Sequence, residues 1–560
     1  MDKVLRIFSR EYVNINQAAI LLGLFAFLSQ VLGLFRDRSI AHFIGPGAEL
    51  DIYYAAFRVP DLIFISIASL ASITVLIPFL SQRLNKESGG MAEAKKLLSD
   101  IFTAFFLLIT AVAGLSFFLM PYFTSIIAPG FSPEIQAKVV ELSRIMLLSP
   151  ILMGLSNLFG TVTQLFRKFF IYALSPIFYN LGIILGVIFL YPAFGIAGLA
   201  LGVAAGAGMH FLIQFFASRL CGLAPGFSLS VNWAEVKAVA LTSLPRTLGL
   251  AFNNIALIAI IALASFLAAG SISIFNLSLN LQSVPLNIIG ISYAVAAFPT
   301  LAKAASERRM DDFKKHVRST ARQIIFWSIP ITFIFIVLRA QIVRVILGTG
   351  SFSWENTRLV AASLAIFSVS VLAQAMVALF SRAYYAVGNT RRPLLINLIS
   401  SLFIVFLAYA LVQFYQAFAP FRYFIESLLK VENIPGTEIL MLPLAYSVGT
   451  ILNFVLYWFF VRRDFMRAES FIAKTFFQSL GASFFVGLTA YLSLNIFSPI
   501  FGTITFWGIF LQGLISGILG ILAGGLVLHL LGSEELNLFL KSVKTNFWKS
   551  KAIPPLQEEL

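Results

Sequence analysis

The sequence is poor in cysteine, histidine and charged residues. Its 560 residues include a single cysteine, Cys221, and four histidines, and only 12% of the chain is charged. One cysteine excludes a disulfide framework within the chain and a multi-cysteine metal site. A soluble protein carries about a quarter charged residues, so this composition is not that of an ordinary soluble domain.

Several functional motifs are also absent. No G-x-x-x-x-G-K-[ST] phosphate loop occurs. We therefore expect that this chain has no cofactor and does not use ATP, and that a membrane potential or an ion gradient supplies the energy for its activity. The N-terminal segment MDKVLRIFSREYVNINQ lacks a small-residue cleavage site after a short apolar core, which predicts that the first apolar segment is retained. The cations are dispersed over many loops, which argues against a nucleic-acid partner.

Long apolar segments dominate what is present. The chain is 59% hydrophobic, and apolar runs of about 20 residues, the length that crosses a hydrocarbon layer of about 30 Å, recur from end to end. The pattern predicts an all-α polytopic membrane protein with about fourteen transmembrane helices. Their approximate extents are 18–44, 51–80, 98–127, 138–165, 170–192, 195–218, 238–266, 272–301, 321–347, 358–385, 393–416, 439–461, 475–497 and 505–532.

The cations predict how these helices are oriented. When the N-terminus is placed inside, most of the 40 lysines and arginines fall in loops that are then cytoplasmic, as the positive-inside rule requires. The loop at 302–322 is then inside and the Ala417–Thr437 loop outside. The alternation predicts a multi-pass protein of the cytoplasmic membrane with both termini cytoplasmic.

A faint internal repeat suggests two halves. The segments SPIFYNLG (Ser175–Gly182) and RPLLINLI (Arg392–Ile399) share a Pro-x-x-x-Asn-Leu pattern, and Pro60 has a counterpart at a similar offset in Pro285. Repeated halves with a substrate site between them are typical of transporters. We therefore predict a six-helix lobe at 1–220, a second six-helix lobe at 221–465, and two additional helices with a cytoplasmic tail at 466–560.

The first two apolar segments meet in an unusually charged stretch, LFRDRSIAHFIGPGAELDIYYAAFRVPD. A charge at the centre of a membrane helix costs about 2.5–3.5 kcal/mol, so Arg36 and Arg58 need a physical reason. One interpretation is that both bind an anionic group, because a guanidinium donates two parallel hydrogen bonds to an oxyanion such as phosphate and stays charged when desolvated. The other is that ion pairs with Asp37, Asp51 or Asp61 fix the first hairpin. Arg38 is predicted to be structural.

Polar residues in the seventh and eighth predicted helices offer further candidates. Arg246 lies about ten residues into its helix, near the bilayer midplane, where it either faces a cavity or extends its side chain to the inner surface. Asn280, Gln282, Asn253 and Asn254 either join helices through hydrogen bonds or contact the substrate. The candidate substrate-binding residues are Arg36, Asp37, Arg58, Arg246 and Asn280.

Three segments carry a family resemblance. AELDIYYAAFRVPDL (48–62), ALSPIFYNLGIILG (173–186) and LFSRAYYAVGNTRRP (379–393) resemble the MurJ/MviN family of the multidrug/oligosaccharidyl-lipid/polysaccharide exporter superfamily, in the same order and at the same spacing. The resemblance runs from about residue 20 to residue 460. It implies two six-helix lobes plus two helices, and a transporter rather than an enzyme. The implied function is flipping of lipid II, an undecaprenyl-diphosphate-linked peptidoglycan precursor, to the outer leaflet of the bacterial cytoplasmic membrane during cell-wall biogenesis.

The sequence departs from the family at three cationic positions. Gln30 stands where the family has arginine, Phe64 and Ile65 replace paired arginines, and Ser278–Leu281 replaces Ala-Asp-Arg-Leu. These losses keep two alternatives open, a flippase for another polyprenyl-linked oligosaccharide and a cation-coupled exporter of the same superfamily. The expected partners are a lipid-linked saccharide diphosphate and membrane lipids, with cell-wall synthesis proteins left open. A membrane-embedded enzyme would need positioned carboxylates, and no acid-rich motif occurs in the long outside loop.

Overall fold

The computed structural model describes residues 15–68, 73–84, 90–466 and 472–548, and throughout these ranges the regular structure is helical, with no β-strand. Both predicted cytoplasmic termini, at 1–14 and 549–560, lie outside the described residues. The α-helices are α1 Ile15–Phe43, α2 Ala48–Ala56, α3 Arg58–Ile63, α4 Ile73–Leu84, α5 Gly90–Ile127, α6 Pro133–Met146, α7 Leu148–Leu165, α8 Phe169–Leu185, α9 Tyr191–Phe194, α10 Ile196–Leu220, α11 Trp233–Ala264, α12 Ser271–Pro285, α13 Ser292–Ser306, α14 Met310–Val337, α15 Arg339–Leu347, α16 Trp354–Val369, α17 Val371–Ala386, α18 Arg391–Ala417, α19 Ala419–Leu429, α20 Met441–Asp464, α21 Ala473–Phe501, α22 Phe506–Leu530 and α23 Glu534–Trp548.

The helix lengths and composition confirm an all-α membrane protein. Within the described ranges, ten helices or continuous helical runs are long and apolar enough to cross a membrane, and an eleventh arises if α16 and α17, which are bent by 44°, count as one span. Each of the fourteen predicted segments overlaps helices of the described residues, but the count of fourteen spans stays a prediction. The outside loop predicted at 417–437 contains a short helix, α19, which the sequence did not indicate.

Within the ranges that the structure describes, three π-helical segments interrupt the regular helices. They comprise Phe64–Ala68 after α3, Gly186–Leu190 after α8 and Leu286–Ile291 after α12. The first follows Pro60 closely and the third follows Pro285, so the two prolines that suggested the internal repeat both precede a π-helical segment. A π segment shifts the register of the side chains around the helix axis, so helical periodicity alone does not predict which face of each arm turns inward.

The helices group into two compact units. The first comprises Met1–Val284, Ile346–Phe367 and Asn389–Asn453, and the second comprises Pro285–Val345, Ser368–Gly388 and Phe454–Leu560. All five candidate substrate-binding residues belong to the first unit. The predicted division at residues 220 and 465 stays a prediction.

Glycines bring α8 and α10 into close contact within the first unit. A Cβ atom added to Gly182 of α8 would lie 2.2 Å from the Cα of Gly206 in α10, and one added to Gly202 would lie 2.7 Å from the Cα of Gly186. Small residues at four-residue spacing allow two helix backbones to approach in this way. The contact fixes the position of α8, which carries Asn180.

An ion-pair network organises the second unit. Arg322 of α14 donates hydrogen bonds from Nε to Oε1 of Glu535 and from Nη2 to Oε2 of Glu534, each 2.6 Å long. The hydroxyl of Thr475, in α21, also donates to Glu535 Oε1, at 2.9 Å. These bonds tie α14, α21 and α23 together at one end of the unit, where charged side chains are partly solvated.

Candidate functional site

Arg36 and Asp37 form an ion pair near the end of α1. The Nε and Nη2 atoms of Arg36 donate to the same carboxylate oxygen, Oδ1 of Asp37, at 3.0 Å and 2.7 Å. Asp37 is buried, whereas about a quarter of the Arg36 side chain remains accessible. The hypothesis that an ion pair fixes Arg36 is therefore consistent with this conformation, and it does not prevent the accessible part of the guanidinium from meeting a ligand.

Two amide side chains extend this pair on either side. Arg36 Nη1 donates to Oδ1 of Asn180 at 3.2 Å, and Asn280 Nδ2 donates to Oδ2 of Asp37 at 3.1 Å. A second bond, from Asn180 Nδ2 to the Pro176 carbonyl, fixes the orientation of that amide. The structure thus brings Arg36, Asp37 and Asn280 together, and it adds Asn180, which the sequence analysis had noted only as part of a repeat.

Arg58 lies on α3 and contacts the same helix, α12, that carries Asn280. Its Nη2 atom donates a short hydrogen bond to Oδ1 of Asn276, one turn before Asn280. Its Nε is buried and has no hydrogen-bond partner among the described residues. No ion pair joins Arg58 to Asp61 within the described part of the chain, so the predicted pairing on one helix face is not formed here. Arg58 therefore retains an unused donor.

Asp51 makes a contact that the sequence analysis missed. Its Oδ2 accepts the backbone N–H of Gly270 and its Oδ1 accepts the backbone N–H of Ser273, both at 2.7 Å. These amides lie at the N-terminus of α12, where N–H groups lack intrahelical partners and the helix dipole favours a negative charge. Asp51 is almost completely buried. A side chain from α2 thus caps a helix more than 200 residues away in sequence.

Asp61 faces a small cavity of about 180 Å³. The cavity lies between α3, the junction of α6 with α7, and α8, and it includes the side chain of Tyr179. Within the described residues, no hydrogen-bond donor or ion-pair partner reaches the Asp61 carboxylate. The sequence analysis treated Asp61 only as a potential partner of arginine, because a cavity formed by distant helices leaves no local sequence signal.

The remaining candidates are placed less completely. The backbone of Arg246 lies in α11, but its side chain, like that of Asn253, lies outside the described residues, so its role stays a prediction. Gln282 is buried in α12, and its Nε2 has no partner in the described part of the chain. Arg38 donates to the carbonyl of Ile346 at 3.3 Å, which agrees with the structural role predicted for it.

The described residues contain no group of three or more His, Cys, Asp and Glu side chains that could hold a metal ion. The site consists instead of neighbouring guanidinium, carboxylate and amide groups that are hydrogen-bonded to one another. Arginine and asparagine supply donors suited to phosphate oxygens. Such an arrangement can bind an anionic group, and the bound anion would compete for the donors that now join different helices, such as Arg58, which donates to Asn276.

Comparison with known proteins places these features in context. A family model described as "Lipid II flippase MurJ" matches residues 40–511. A probable lipid II flippase MurJ of Buchnera aphidicola subsp. Baizongia pistaciae is 24% identical over 469 residues, which cover 83% of this chain and 86% of the relative. The corresponding protein of Buchnera aphidicola subsp. Acyrthosiphon pisum is 29% identical over 415 residues, or 70% of this chain and 79% of the relative.

Solved structures show the same fold. The chain resembles the structure titled "Lipid II flippase MurJ, inward closed conformation" with a TM-score of 0.70 and 21% identity, covering 94% of this chain and 100% of the other. It also resembles an inward-facing multidrug resistance MATE family transporter of the MOP superfamily, with a TM-score of 0.63 and 14% identity over 80% of this chain and 97% of the other. At these identities the likeness concerns the fold alone.

Proposed function

Because this chain belongs to the lipid II flippase MurJ family, we propose that it moves lipid II from the inner to the outer leaflet of the bacterial cytoplasmic membrane, in cell-wall biogenesis. It does so by alternating access, as a transporter that makes and breaks no covalent bond in its substrate. Both termini lie on the cytoplasmic side. Lipid II carries a diphosphate between its polyprenyl tail and its sugars, and the diphosphate is the part that a cationic site recognises.

The observation that carries this proposal is the Nε of Arg58, which has no hydrogen-bond partner in the described structure. This Nε is buried, and a buried donor without a partner costs about 1–3 kcal/mol. A phosphate oxygen supplies that acceptor, and the planar guanidinium binds it with parallel hydrogen bonds. Arg36, partly accessible and on α1, provides a second cation once Asp37 bonds more strongly to Asn280 than to Arg36.

Three links hold the first helices to α12 in this conformation. They are the Asp51 cap at Gly270 and Ser273, the bond from Arg58 to Asn276, and the bond from Asn280 to Asp37. Separation of these segments requires all three links to break. A ligand shifts such an equilibrium only by binding the two states with different affinity. The diphosphate does so by replacing Asn276 as the acceptor for Arg58.

We propose the membrane potential or an ion gradient as the energy source. The diphosphate of lipid II carries about two negative charges, and a potential that is negative inside favours their outward movement. The energy is about 2.3 kcal/mol per charge per 100 mV. ATP is not required within this chain. The partners are the lipid-linked diphosphate, membrane lipids and, at the membrane, cell-wall synthesis proteins.

Depletion complementation tests the function. The gene is expressed in a bacterium whose own lipid II flippase is depleted, and survival is scored together with the amount of protein in the membrane. We expect the wild type to sustain growth and Arg58→Gln to fail at equal expression, since glutamine keeps an amide contact with Asn276 but removes the charge. Lysis by a well-expressed wild type would contradict lipid II transport.

A flippase for another polyprenyl-linked oligosaccharide is the second candidate. Asn280, which occupies a family arginine position, bonds to Asp37 and adds no cation to the site, so recognition of the headgroup here differs from the family pattern. Reconstituted vesicles with lipid II in one preparation and a different polyprenyl-diphosphate oligosaccharide in another distinguish the two. Faster flipping of the second lipid would favour this candidate over lipid II.

A further inference from the structure

The small cavity beside α3 contains one ionisable carboxylate. Its volume is about 180 Å³, and Asp61 is the only acidic residue among the described residues that line it. The other lining residues are apolar or hydroxylated and comprise Phe57, Pro60, Phe64, Met146, Ser149, Pro150, Met153 and Tyr179. The carboxylate therefore faces an almost apolar space inside the first unit.

The electrostatic surroundings of Asp61 are sparse. Arg58, three residues earlier on the same helix, acts on it electrostatically, although no ion pair joins the two. Its other titratable neighbours are Tyr53 from α2 and Tyr179 from α8, and the hydroxyl of Ser149 lies next to that of Tyr179. The lining residues of α6 and α7 contribute no titratable group. An ionised carboxylate that is neither paired nor hydrogen-bonded is costly in such surroundings, and uptake of a proton relieves the cost.

We infer that Asp61 is a proton-binding site, and that its protonation strengthens the binding of an anionic diphosphate group by Arg58. The inference deepens the proposed function and rests on it for the identity of the anion. The proton comes from water, and the carboxylate becomes a carboxylic acid without any further reactant. In the ionised state Asp61 competes with phosphate for the charge of Arg58, whereas in the protonated state the whole charge of Arg58 is available to the ligand.

The lining favours a proton over a metal cation. Hard metal ions require several oxygen ligands, about six to eight for Ca²⁺. The described lining offers one carboxylate and the two hydroxyl groups of Ser149 and Tyr179. A proton needs a single oxygen atom and fits a cavity of this size and polarity.

Linkage gives the expected size of the effect. If headgroup binding takes up one proton at Asp61, the apparent affinity for the headgroup rises as the pH falls, by up to about tenfold per pH unit. The relation is reciprocal, so binding of the diphosphate also promotes protonation of Asp61.

Infrared difference spectroscopy of the full-length protein in lipid tests the proton site directly. A pH step on the ligand-free protein protonates several carboxylates, and the carbonyl band of the acid form should contain a component that Asp61→Asn removes. Asp100→Asn is the matched control, because Asp100 is a buried carboxylate elsewhere in the unit that accepts the backbone N–H of Asn232. A band that persists unchanged in Asp61→Asn would overturn the inference.

Binding measurements test the coupling to the anion. The probe is undecaprenyl-diphosphate-linked N-acetylglucosamine, whose diphosphate is a diester and remains doubly ionised across the neutral pH range. The wild type and Asp61→Glu should bind it more tightly as the pH falls, whereas Asp61→Asn, permanently neutral, should bind it with nearly pH-independent affinity. Thermal melting of each variant shows whether it is folded.

The outcomes separate this inference from the proposed function. If the wild type and a folded Asp61→Asn show the same pH dependence, the coupling is refuted while diphosphate binding stands. If the wild type fails to bind the probe at any pH but keeps the Asp61 infrared band, the proton site stands and the diphosphate function fails.

Discussion

Replacement of Asp51 by asparagine should release the N-terminus of α12. In the wild type two carboxylate oxygens each accept a backbone N–H at 2.7 Å, and hydrogen bonds to a charged group contribute about 1.5–3 kcal/mol each. Asparagine has nearly the same shape but only one acceptor oxygen and no charge, so it loses one of these bonds and the interaction with the helix dipole. We estimate a loss of about 2–3 kcal/mol, which shifts the equilibrium between linked and separated segments by about 30- to 150-fold.

Distances between spin labels, obtained by double electron–electron resonance, can measure this shift. Spin labels at Ala48 and Ala269, placed in a Cys221→Ser background, report the separation of α2 from the start of α12. We expect one short distance in the wild type and an added longer distance in Asp51→Asn, with Asp100→Asn as a control that leaves the distribution unchanged. Identical distributions in wild type and a folded Asp51→Asn would show that the cap does not hold these segments together.

Three further predictions concern stability. Gly206→Ala should lower the melting temperature in detergent, because its Cβ would lie 2.5 Å from the Tyr179 carbonyl oxygen. The control is Gly208→Ala, whose Cβ would have no atom within 4 Å and which should leave the melting temperature unchanged. Equal melting temperatures of the two variants would contradict close packing of α8 and α10. Hydrogen bonding to Arg322 lowers the pKa of Glu534, so the ionised Glu534 stabilises the fold above its unfolded pKa, and this stabilisation is lost as the pH falls through the lowered folded pKa. The difference in melting temperature between the wild type and Glu534→Gln should therefore vanish in acid. A difference that stays constant with pH would refute the pairing. Arg36→Gln should reduce both stability and transport, since it leaves the buried Asp37 without its ion-pair partner, and full transport by Arg36→Gln in vesicles would exclude it from the site.

The helical segments could be predicted from the sequence because hydrophobic length and cation placement are local properties. The same holds for the proximity of Arg36 and Asp37, which are adjacent in the chain. The partners Asn180 and Asn276 could not be predicted, because the face that an asparagine presents depends on helix packing. Here the glycine contact between α8 and α10 sets that face for Asn180.

Long-range capping and cavities were missed for a different physical reason. Asp51 satisfies amide groups at the start of α12, and only the folded chain brings the two together. The π-helical segment Phe64–Ala68 changes the register immediately after Asp61, so counting residues at 100° intervals along this arm assigns the wrong faces beyond it. The cavity that Asp61 faces exists only where α3, the junction of α6 with α7, and α8 pack together.

The charges of the site explain how it could work with fewer cations than the family pattern. Arg36 is balanced by Asp37, and Arg58 is balanced in part by the nearby Asp61, so the described site carries little net charge when empty. A diphosphate headgroup carries about two negative charges, and its burial requires guanidinium groups that are not neutralised by carboxylates of the protein. Transfer of Asp37 from Arg36 to Asn280 uncovers one cation, and protonation of Asp61 uncovers the other. On this account two carboxylates, one that changes partner and one that takes up a proton, compensate for the lost arginines, and headgroup binding becomes dependent on the Asp37–Asn280 contact and on pH.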